Sequence, residues 1–322
     1  MSILNAYACY NKNLEVRLNS SSGGIFYLLA SSVFDENGVV YGVAMSKDCY
    51  SAEYISVNNK EELKKLQGSK YLQAKIGLTY KNVELDLKKG KRVLFTGTGC
   101  QINGLKSFLR KEYDNLICMD IICHGVPSAK LWKKYILIQE QKYGKKLKKI
   151  NFRCKDNGWK SFGMKEDNIY IPKDKDAYMQ FFLRNYSLRP SCYKCQAKEK
   201  KLSDITIADF WGIENIVPEI DDGKGVSFII VRNEKGQNIF SKIKSNLIWK
   251  KVKYEDGIKY NSAEYLSVKK PLGREEFFKD LDVLTFLEME KKYISDMRLS
   301  FFRNIIRKLK KIIKRILSGG RI

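Results

Sequence analysis

The chain has 322 residues, of which 44% are hydrophobic and only five are proline, and this composition is typical of a folded protein with one or two domains. No apolar segment follows a basic start, and no uncharged apolar run is long enough to span a membrane, so we expect neither a signal peptide nor a transmembrane helix. We therefore expect a cytoplasmic protein with eight reduced cysteines, which favours metal or redox roles over a disulfide framework.

Basic residues outnumber acidic residues along the whole chain, and the formal net charge is +24. Residues 298–322 contain nine of the cations and no acid, but the rest of the chain is basic as well. This excess indicates an acidic partner, such as nucleotide phosphates, an acidic electron carrier, anionic lipid or nucleic acid.

The first part of the chain, residues 1–85, has the pattern of an α/β unit. A serine-glycine turn at residues 20–24 precedes a predicted helix at Ile25–Phe34. A tight turn then leads to a predicted strand at Val39–Met45, and a short helix is predicted at residues 61–66.

From residue 86 onward, predicted strands and helices alternate. Strands are expected at residues 92–96 and 116–122, and helices at residues 101–109 and Ala129–Tyr143. Further strands are expected at Ile150–Cys154 and residues 169–171, 205–210 and 227–232, and a helix at 178–185. The predicted fold class is α/β with α+β elements, in which a mixed sheet is flanked by helices.

Four cysteines stand where they can build a metal site. Cys100 and Cys123 each follow a predicted strand, and Cys192 and Cys195 form a Cys-x-x-Cys turn. Together they predict a four-thiolate centre at the edge of a sheet, where open α/β folds hold their cofactors. An iron–sulfur cluster is favoured, because it accepts ligands that are scattered in the sequence. The alternatives are a zinc ion and the absence of any metal.

The remaining cysteines and the single histidine have other interpretations. Cys9, Cys49, Cys118 and Cys154 are predicted to be small buried apolar residues. His124 is the only histidine in the chain, so catalysis that needs several histidines is excluded. This histidine is either structural or a hydrogen-bond donor and proton relay beside a cofactor.

Two glycine-containing turns, at residues 20–24 and 97–99, have the character of loops that hold phosphate at the start of a helix. Neither matches a Walker or dinucleotide-binding fingerprint, so plain turns are the alternative. With Lys70 and the basic body of the protein, the two turns predict a nucleotide-type cofactor.

The C-terminal segment, residues 291–322, is predicted to be a basic amphipathic helix. Its apolar residues recur every three or four positions, and its cations occupy the other face. Such a helix binds an anionic membrane surface, which would hold the protein at the inner face of the membrane. The alternative is packing on the body or on a partner, and the continuous apolar stripe makes nucleic acid an unlikely ligand.

Six motifs in order give the chain a family resemblance. They are SSSGGIF (20–26), GSKYLQ (68–73), LFTGTGCQ (94–101), CHGVPS (123–128), RPSCYKC (189–195) and DITIADFWG (204–212). Over residues 1–240 the chain resembles the coenzyme F420 hydrogenase/dehydrogenase beta-subunit family. We therefore divide it into residues 1–85, the first part of a flavin-binding domain, residues 86–290, the catalytic part, and the tail.

The resemblance implies an oxidoreductase with FAD and a 4Fe-4S cluster beside the flavin. Such a protein passes electrons between a reduced carrier, either ferredoxin or the deazaflavin coenzyme, and a substrate or partner subunit. The resemblance implies that Cys100, Cys123, Cys192 and Cys195 hold the cluster, with His124 as the catalytic candidate. The implied flavin contacts are Ser21, Ser22, Gly23, Gly24, Lys70, Tyr71, Thr96, Gly97, Thr98 and Gly125.

Two departures from the family pattern affect these expectations. Many members begin with a ferredoxin-like segment that is not seen in this sequence, so we expect either a separate ferredoxin-like carrier or that one cluster suffices. Gly99 replaces a common proline, which predicts a looser turn before Cys100. Family relatives encoded with surface-polysaccharide enzymes suggest a small or carbohydrate-related substrate. The rival functions are a zinc-stabilised binding protein at the membrane surface and a glycan-modifying transferase.

Overall fold

The computed structural model describes residues 3–295 of the protein. Within them, twelve strands are β1 (Asn5–Asn11), β2 (Val39–Met45), β3 (Ala52–Val57), β4 (Ala74–Lys75), β5 (Val93–Thr98), β6 (Leu116–Ile121), β7 (Ile150–Cys154), β8 (Gly163–Glu166), β9 (Ile169–Pro172), β10 (Ile205–Asp209), β11 (Ser227–Val231) and β12 (Leu247–Val252). The α-helices in this range are α1 (Leu14–Leu18), α2 (Ile25–Phe34), α3 (Lys60–Leu63), α4 (Thr79–Lys88), α5 (Gly99–Leu109), α6 (Ala129–Tyr143), α7 (Ala177–Leu183), α8 (Gln196–Glu199), α9 (Glu234–Ile243), α10 (Tyr254–Ile258), α11 (Arg274–Val283) and α12 (Phe286–Glu290).

Nine strands form one mixed sheet in the order β12-β1-β11-β10-β6-β5-β2-β3-β4. At its centre β10, β6, β5 and β2 are parallel, whereas β11, β1 and β12 continue the sheet in antiparallel pairs. The sheet takes strands from both predicted segments, residues 1–85 and 86–290. Strands β7 to β9 form a separate antiparallel sheet.

Helices cover both faces of the central strands. Leu94 packs in one core with α2 and α9, whereas its neighbours Val93 and Phe95 pack in another with α4, α5 and α6. Side chains of a strand alternate between the two faces of a sheet, so the first half of β5, residues 93–95, is apolar because both of its faces are buried. The same holds for β6, where Ile117 and Cys118 belong to opposite cores.

The elements predicted within residues 3–295 are present, and four of them have the predicted bounds: α2, β2, α6 and β7. The helix predicted at residues 61–66 instead runs from Lys60 to Leu63 and is shorter than expected. Strands β1, β3, β4, β8 and β12 were not predicted. Cys9, Cys49, Cys118 and Cys154 are buried, as expected.

The predicted tail helix lies outside the described residues from position 296 onward, so its structure and its membrane binding stay predictions. Within residues 3–295, every helix is too short or too polar to cross a bilayer.

Candidate functional site

The ends of two central strands place the first two cysteines side by side. Strands β5 and β6 are parallel, with Thr98 opposite Ile121. Cys100 lies in the first turn of α5, and Cys123 lies in the loop after β6. Because parallel strands end at the same edge of a sheet, both cysteines lie at one edge.

The Cys-x-x-Cys turn reaches the same place from a distant part of the chain. Cys192 lies in a 3-10 turn at Pro190–Lys194, and Cys195 precedes α8. The Val126 N–H donates to the Cys192 sulfur at 3.4 Å. All four cysteines line one small cavity of about 30 Å³.

Burial raises the pKa of two of the four thiols. The pKa of Cys123 is raised to about 12, chiefly by burial, with Lys198 lowering it and the other three thiols adding to the increase. Burial also raises the pKa of Cys192. Among residues 3–295, no three His, Cys, Asp or Glu side chains are grouped to hold a single metal ion. The four thiols instead stand around the walls of the cavity.

Backbone contacts fix the loops that bring in these cysteines. The Lys198 ammonium donates to the Cys123 carbonyl at 2.6 Å and also to the Ala263 carbonyl. The Cys195 N–H donates to the Ser267 hydroxyl at 2.9 Å. The segment around Ser267 therefore supports the Cys-x-x-Cys turn, a role that no sequence motif indicated.

A second, larger cavity of about 970 Å³ adjoins the cysteine cavity, and Cys100, Cys123 and His124 line both. Nine predicted flavin contacts also line the larger cavity: Ser21, Ser22, Gly24, Lys70, Tyr71, Thr96, Gly97, Thr98 and Gly125. A volume near 1,000 Å³ is at the upper end for cofactor and small-molecule sites.

Gly23 is the predicted flavin contact that does not line this cavity. Its N–H donates to the Ser227 hydroxyl at 3.0 Å, and its carbonyl accepts from the Asn11 N–H at 2.8 Å. A side chain at Gly23 would overlap the Cys9 carbonyl and Ser227. The glycine is therefore needed because the loop packs closely against β1 and β11.

Polar contacts fix the serine-glycine loop in front of α2. The half-buried Lys155 ammonium donates to the carbonyls of Ser22 at 2.7 Å, Arg17 at 2.9 Å and Lys224 at 3.0 Å. Burial lowers the pKa of Lys155 to about 7. The Ser69 N–H donates to the Ser21 hydroxyl at 2.9 Å, so the loop is also tied to the GSKY segment.

Both glycine turns lead into helices whose first N–H groups face this region. Gly24 is the N-cap of α2, with a φ of 79° that favours glycine. Thr98 and Gln101 form a capping box at the start of α5. Gly99 is the first residue of α5, a position where proline is also common, so the capping box fixes the turn that was expected to be looser.

Aromatic rings connect Tyr71 to the histidine. Tyr71 stacks on Phe182 at 4.8 Å between ring centroids, and Phe182 meets the edge of His124 at 5.1 Å. The His124 Nε2 is 2.6 Å from the Asn185 Oδ1, and burial lowers the pKa of His124. The histidine is thus held in one orientation between the two cavities.

The larger cavity has cationic walls, which suits an anionic ligand. The Lys70 ammonium donates to the Gln67 carbonyl at 2.7 Å, and burial lowers the pKa of Lys70 to about 7. Arg153, a buried residue that sequence reasoning missed, pairs with Asp209 at 2.9 Å and lies 3.8 Å from the centre of the Phe162 ring. Arg153 follows an ordinary strand pattern in β7, which gave no signal of this role.

The structure is an α/β protein with two adjoining cavities at one edge of its mixed sheet, and comparison with known proteins gives its family. The model of the coenzyme F420 hydrogenase/dehydrogenase beta-subunit N-terminus matches residues 6–77, and that of its C-terminus matches residues 90–256. The chain belongs to this family, which confirms the resemblance and places the protein among oxidoreductases.

Two curated relatives come from Methanocaldococcus jannaschii. An uncharacterized protein is 24% identical over 264 residues, which cover 79% of this chain and 66% of that protein. Coenzyme F420-dependent sulfite reductase is 24% identical over 222 residues, which cover 63% of this chain and 32% of that protein. The chain thus spans about two thirds of one relative and about a third of the other.

A solved structure shares the fold. A chain of the F420-reducing NiFe hydrogenase complex from Methanosarcina barkeri aligns with a TM-score of 0.55 and 14% identity. The alignment covers 90% of this chain and 92% of that chain. At this identity the likeness concerns the fold alone, and it confirms the predicted mixed sheet flanked by helices.

Proposed function

We propose that the protein is an FAD- and 4Fe-4S-dependent oxidoreductase that moves electrons between a reduced carrier and a small-molecule substrate. The observation that carries this proposal is the shared wall between the four-cysteine cavity and the cavity of about 970 Å³. Cofactors whose cavities adjoin can exchange electrons directly, and in such enzymes the protein supplies orientation and electrostatics. The carrier is either a ferredoxin-like protein or the deazaflavin coenzyme.

The donor set fits a four-iron cluster. Cys100, Cys123, Cys192 and Cys195 would hold it, because such a cluster takes four thiolates and accepts them from distant parts of a chain. Four irons that each take one thiolate need ligands standing around a volume, as these four do. A bound cluster would supply one-electron transfer.

The chain's own residues suit the larger cavity to FAD. The helix starts after Gly24 and Thr98 offer backbone N–H groups to a diphosphate, and Lys70 adds a cation to the wall. The aromatic row ending at His124 would orient a planar ring. His124, fixed through Nε2 by Asn185, is the proposed group that holds or moves a proton between the cavities.

Three finer parts of this proposal rest on the sequence. The link to surface-polysaccharide synthesis depends on family resemblance, and the carbohydrate-related substrate stays a prediction with it. Peripheral attachment to the inner face of the membrane depends on the tail. The cytoplasmic location depends on the composition of the chain.

Cofactor analysis of protein purified without oxygen tests the proposal. We expect about four irons, four acid-labile sulfides and one FAD for each chain, with both flavin and cluster absorption. A colourless preparation with stoichiometric zinc and no flavin would refute the oxidoreductase and favour the zinc-stabilised binding protein.

A further inference from the structure

The four-cysteine cavity opens to solvent on a surface with a distinctive charge. Cys100 is exposed, whereas Cys123, Cys192 and Cys195 are half-buried. Four exposed cations lie in the segments that carry these cysteines or pack beside them, and we call them the cationic rim: Arg189, Lys194, Lys200 and Lys269.

Sequence position or backbone contacts connect each rim residue to a cysteine or to a residue of a neighbouring segment. Lys194 lies between Cys192 and Cys195, and the Arg189 carbonyl accepts from the Cys192 N–H at 3.0 Å. The Lys200 carbonyl accepts from Asn103 at 2.7 Å on α5, the helix that contains Cys100. The Lys269 carbonyl accepts from Asn185, the partner of His124.

The charge of the rim is not neutralised by the protein. None of the four rim cations forms an ion pair with a carboxylate of the described residues. Residues 189–201 contain five cations and one acid, Glu199. Unpaired exposed cations attract an acidic partner and accelerate its approach, since the attraction acts over about 10 Å at 0.1 M salt.

Exposed apolar side chains lie within the same surface. Tyr265 is 48% exposed, Leu266 is 54% exposed and Leu272 is 95% exposed. The segment that holds them is fixed to the cysteine site, because Ser267 accepts from the Cys195 N–H. An apolar centre inside a charged rim is the usual anatomy of a protein–protein interface.

We propose that the cationic rim and this apolar centre form the docking surface for an acidic protein that carries one electron at a time. The inference rests on the proposed function, since it assigns the electron carrier of the same site. The four cysteines would hold an iron–sulfur cluster that accepts one electron, and the reduced carrier would lose that electron and be oxidised. The transfer would make and break no covalent bond and move no proton. A nucleic-acid strand is disfavoured, since the surface offers two leucines and a single tyrosine for base stacking.

Charge reversal on the full chain tests the inference against a matched control. The rim variant is K194E/K200E/K269E. The control variant is K89E/K111E/K148E. Its three lysines are exposed and have no ion pair with a described carboxylate. Lys89 precedes β5, Lys111 precedes β6 and Lys148 follows α6, so all three lie away from the cysteine edge. Each variant lowers the formal charge from +24 to +18.

The probe is a purified acidic two-cluster ferredoxin, and the first measurement is its association rate and Kd with each variant over a salt series. We expect at least tenfold slower association for the rim variant at low salt and less than twofold for the control, because steering by charge contributes ten- to a thousandfold. The difference should vanish near 1 M salt, where charges interact over only about 3 Å.

The outcomes separate this inference from the proposed function. Equal association of the two variants would overturn the docking surface, even if iron, flavin and reduction by dithionite are normal. If the unmodified protein binds ferredoxin through the rim yet contains no iron or flavin, the docking surface stands and the proposed function fails. Loss of binding to phosphatidylglycerol vesicles in the rim variant, with ferredoxin binding unchanged, would assign the surface to a membrane and refute the inference.

Discussion

Two cysteine substitutions separate a role in metal binding from a role in packing. Cys195 lies half-buried on the wall of the four-cysteine cavity, whereas Cys154 is buried in β7, 4% exposed. We expect Cys195→Ala to lose the cluster iron and Cys154→Ala to retain it. In the metal-free chain we expect the reverse order, with Cys154→Ala lowering the free energy of unfolding more than Cys195→Ala.

The magnitudes follow from burial. Replacing the buried Cys154 sulfur removes a group about the size of one or two methylenes and leaves a small cavity, so the free energy of unfolding should fall by about 1–2 kcal/mol. Cys195 is half-exposed and its fixed contact uses the backbone N–H, so its truncation should change the stability of the metal-free chain by no more than about 0.5 kcal/mol.

The assay combines iron and sulfide analysis of anaerobic protein with urea unfolding after chelation of the metal. Cys195→Ala should contain less than half the iron of the unmodified protein, and Cys154→Ala should contain all of it. Equal iron contents in the two variants would refute the assignment of the cluster ligands.

The remaining predictions concern the larger cavity, a buried carboxyl and the tail. Gly97→Ala should lower bound FAD, because its methyl group would overlap the Tyr54 hydroxyl. Gly90→Ala meets no atom within 4 Å but has a φ of 78°, so it should cost stability without lowering bound FAD; equal flavin in the two variants would contradict this. Burial raises the pKa of Asp176 from 3.8 to about 7, so between these values the folded chain holds a proton that the unfolded chain releases, and stability falls as pH rises. Asp176→Asn keeps the helix cap. It should reduce the dependence of the unfolding free energy on pH by the equivalent of up to one proton, measured by urea unfolding from pH 4 to 7. An unchanged pH dependence would disprove this prediction. Deleting residues 298–322 should abolish sedimentation with anionic liposomes, and undiminished sedimentation would show that the tail is not the anchor.

Local patterns predicted the elements that present the site. The apolar run of β5 followed by a threonine-glycine turn predicted a strand leading into α5, and the structure closes that turn with the Thr98 capping box. Such features depend on residues a few positions apart, so the sequence records them directly. The same reasoning missed β1 and β12, which pair with each other across more than 200 residues of sequence.

Contacts between distant segments explain the rest of the site. Arg153 and Lys155 reach the serine-glycine loop from more than 130 residues away, and each lies in a segment with no motif of its own. Gly23 is the opposite case, a motif residue that was predicted to contact the flavin. In the structure its immediate neighbours are β1 and β11, against which it packs closely. Neither outcome follows from local composition.

By itself the sequence determined which residues have metal-binding chemistry, where the strands and turns around them lie, and that the protein is basic. Only the tertiary structure decided that Cys192 and Cys195 meet Cys100 and Cys123 at one cavity that adjoins a larger one. The physical reason is that strand order and loop packing are set by contacts across the whole chain, whereas a motif records only its neighbours. That the cations of the cationic rim are unpaired is likewise visible only after folding, since an ion pair needs a partner near in space.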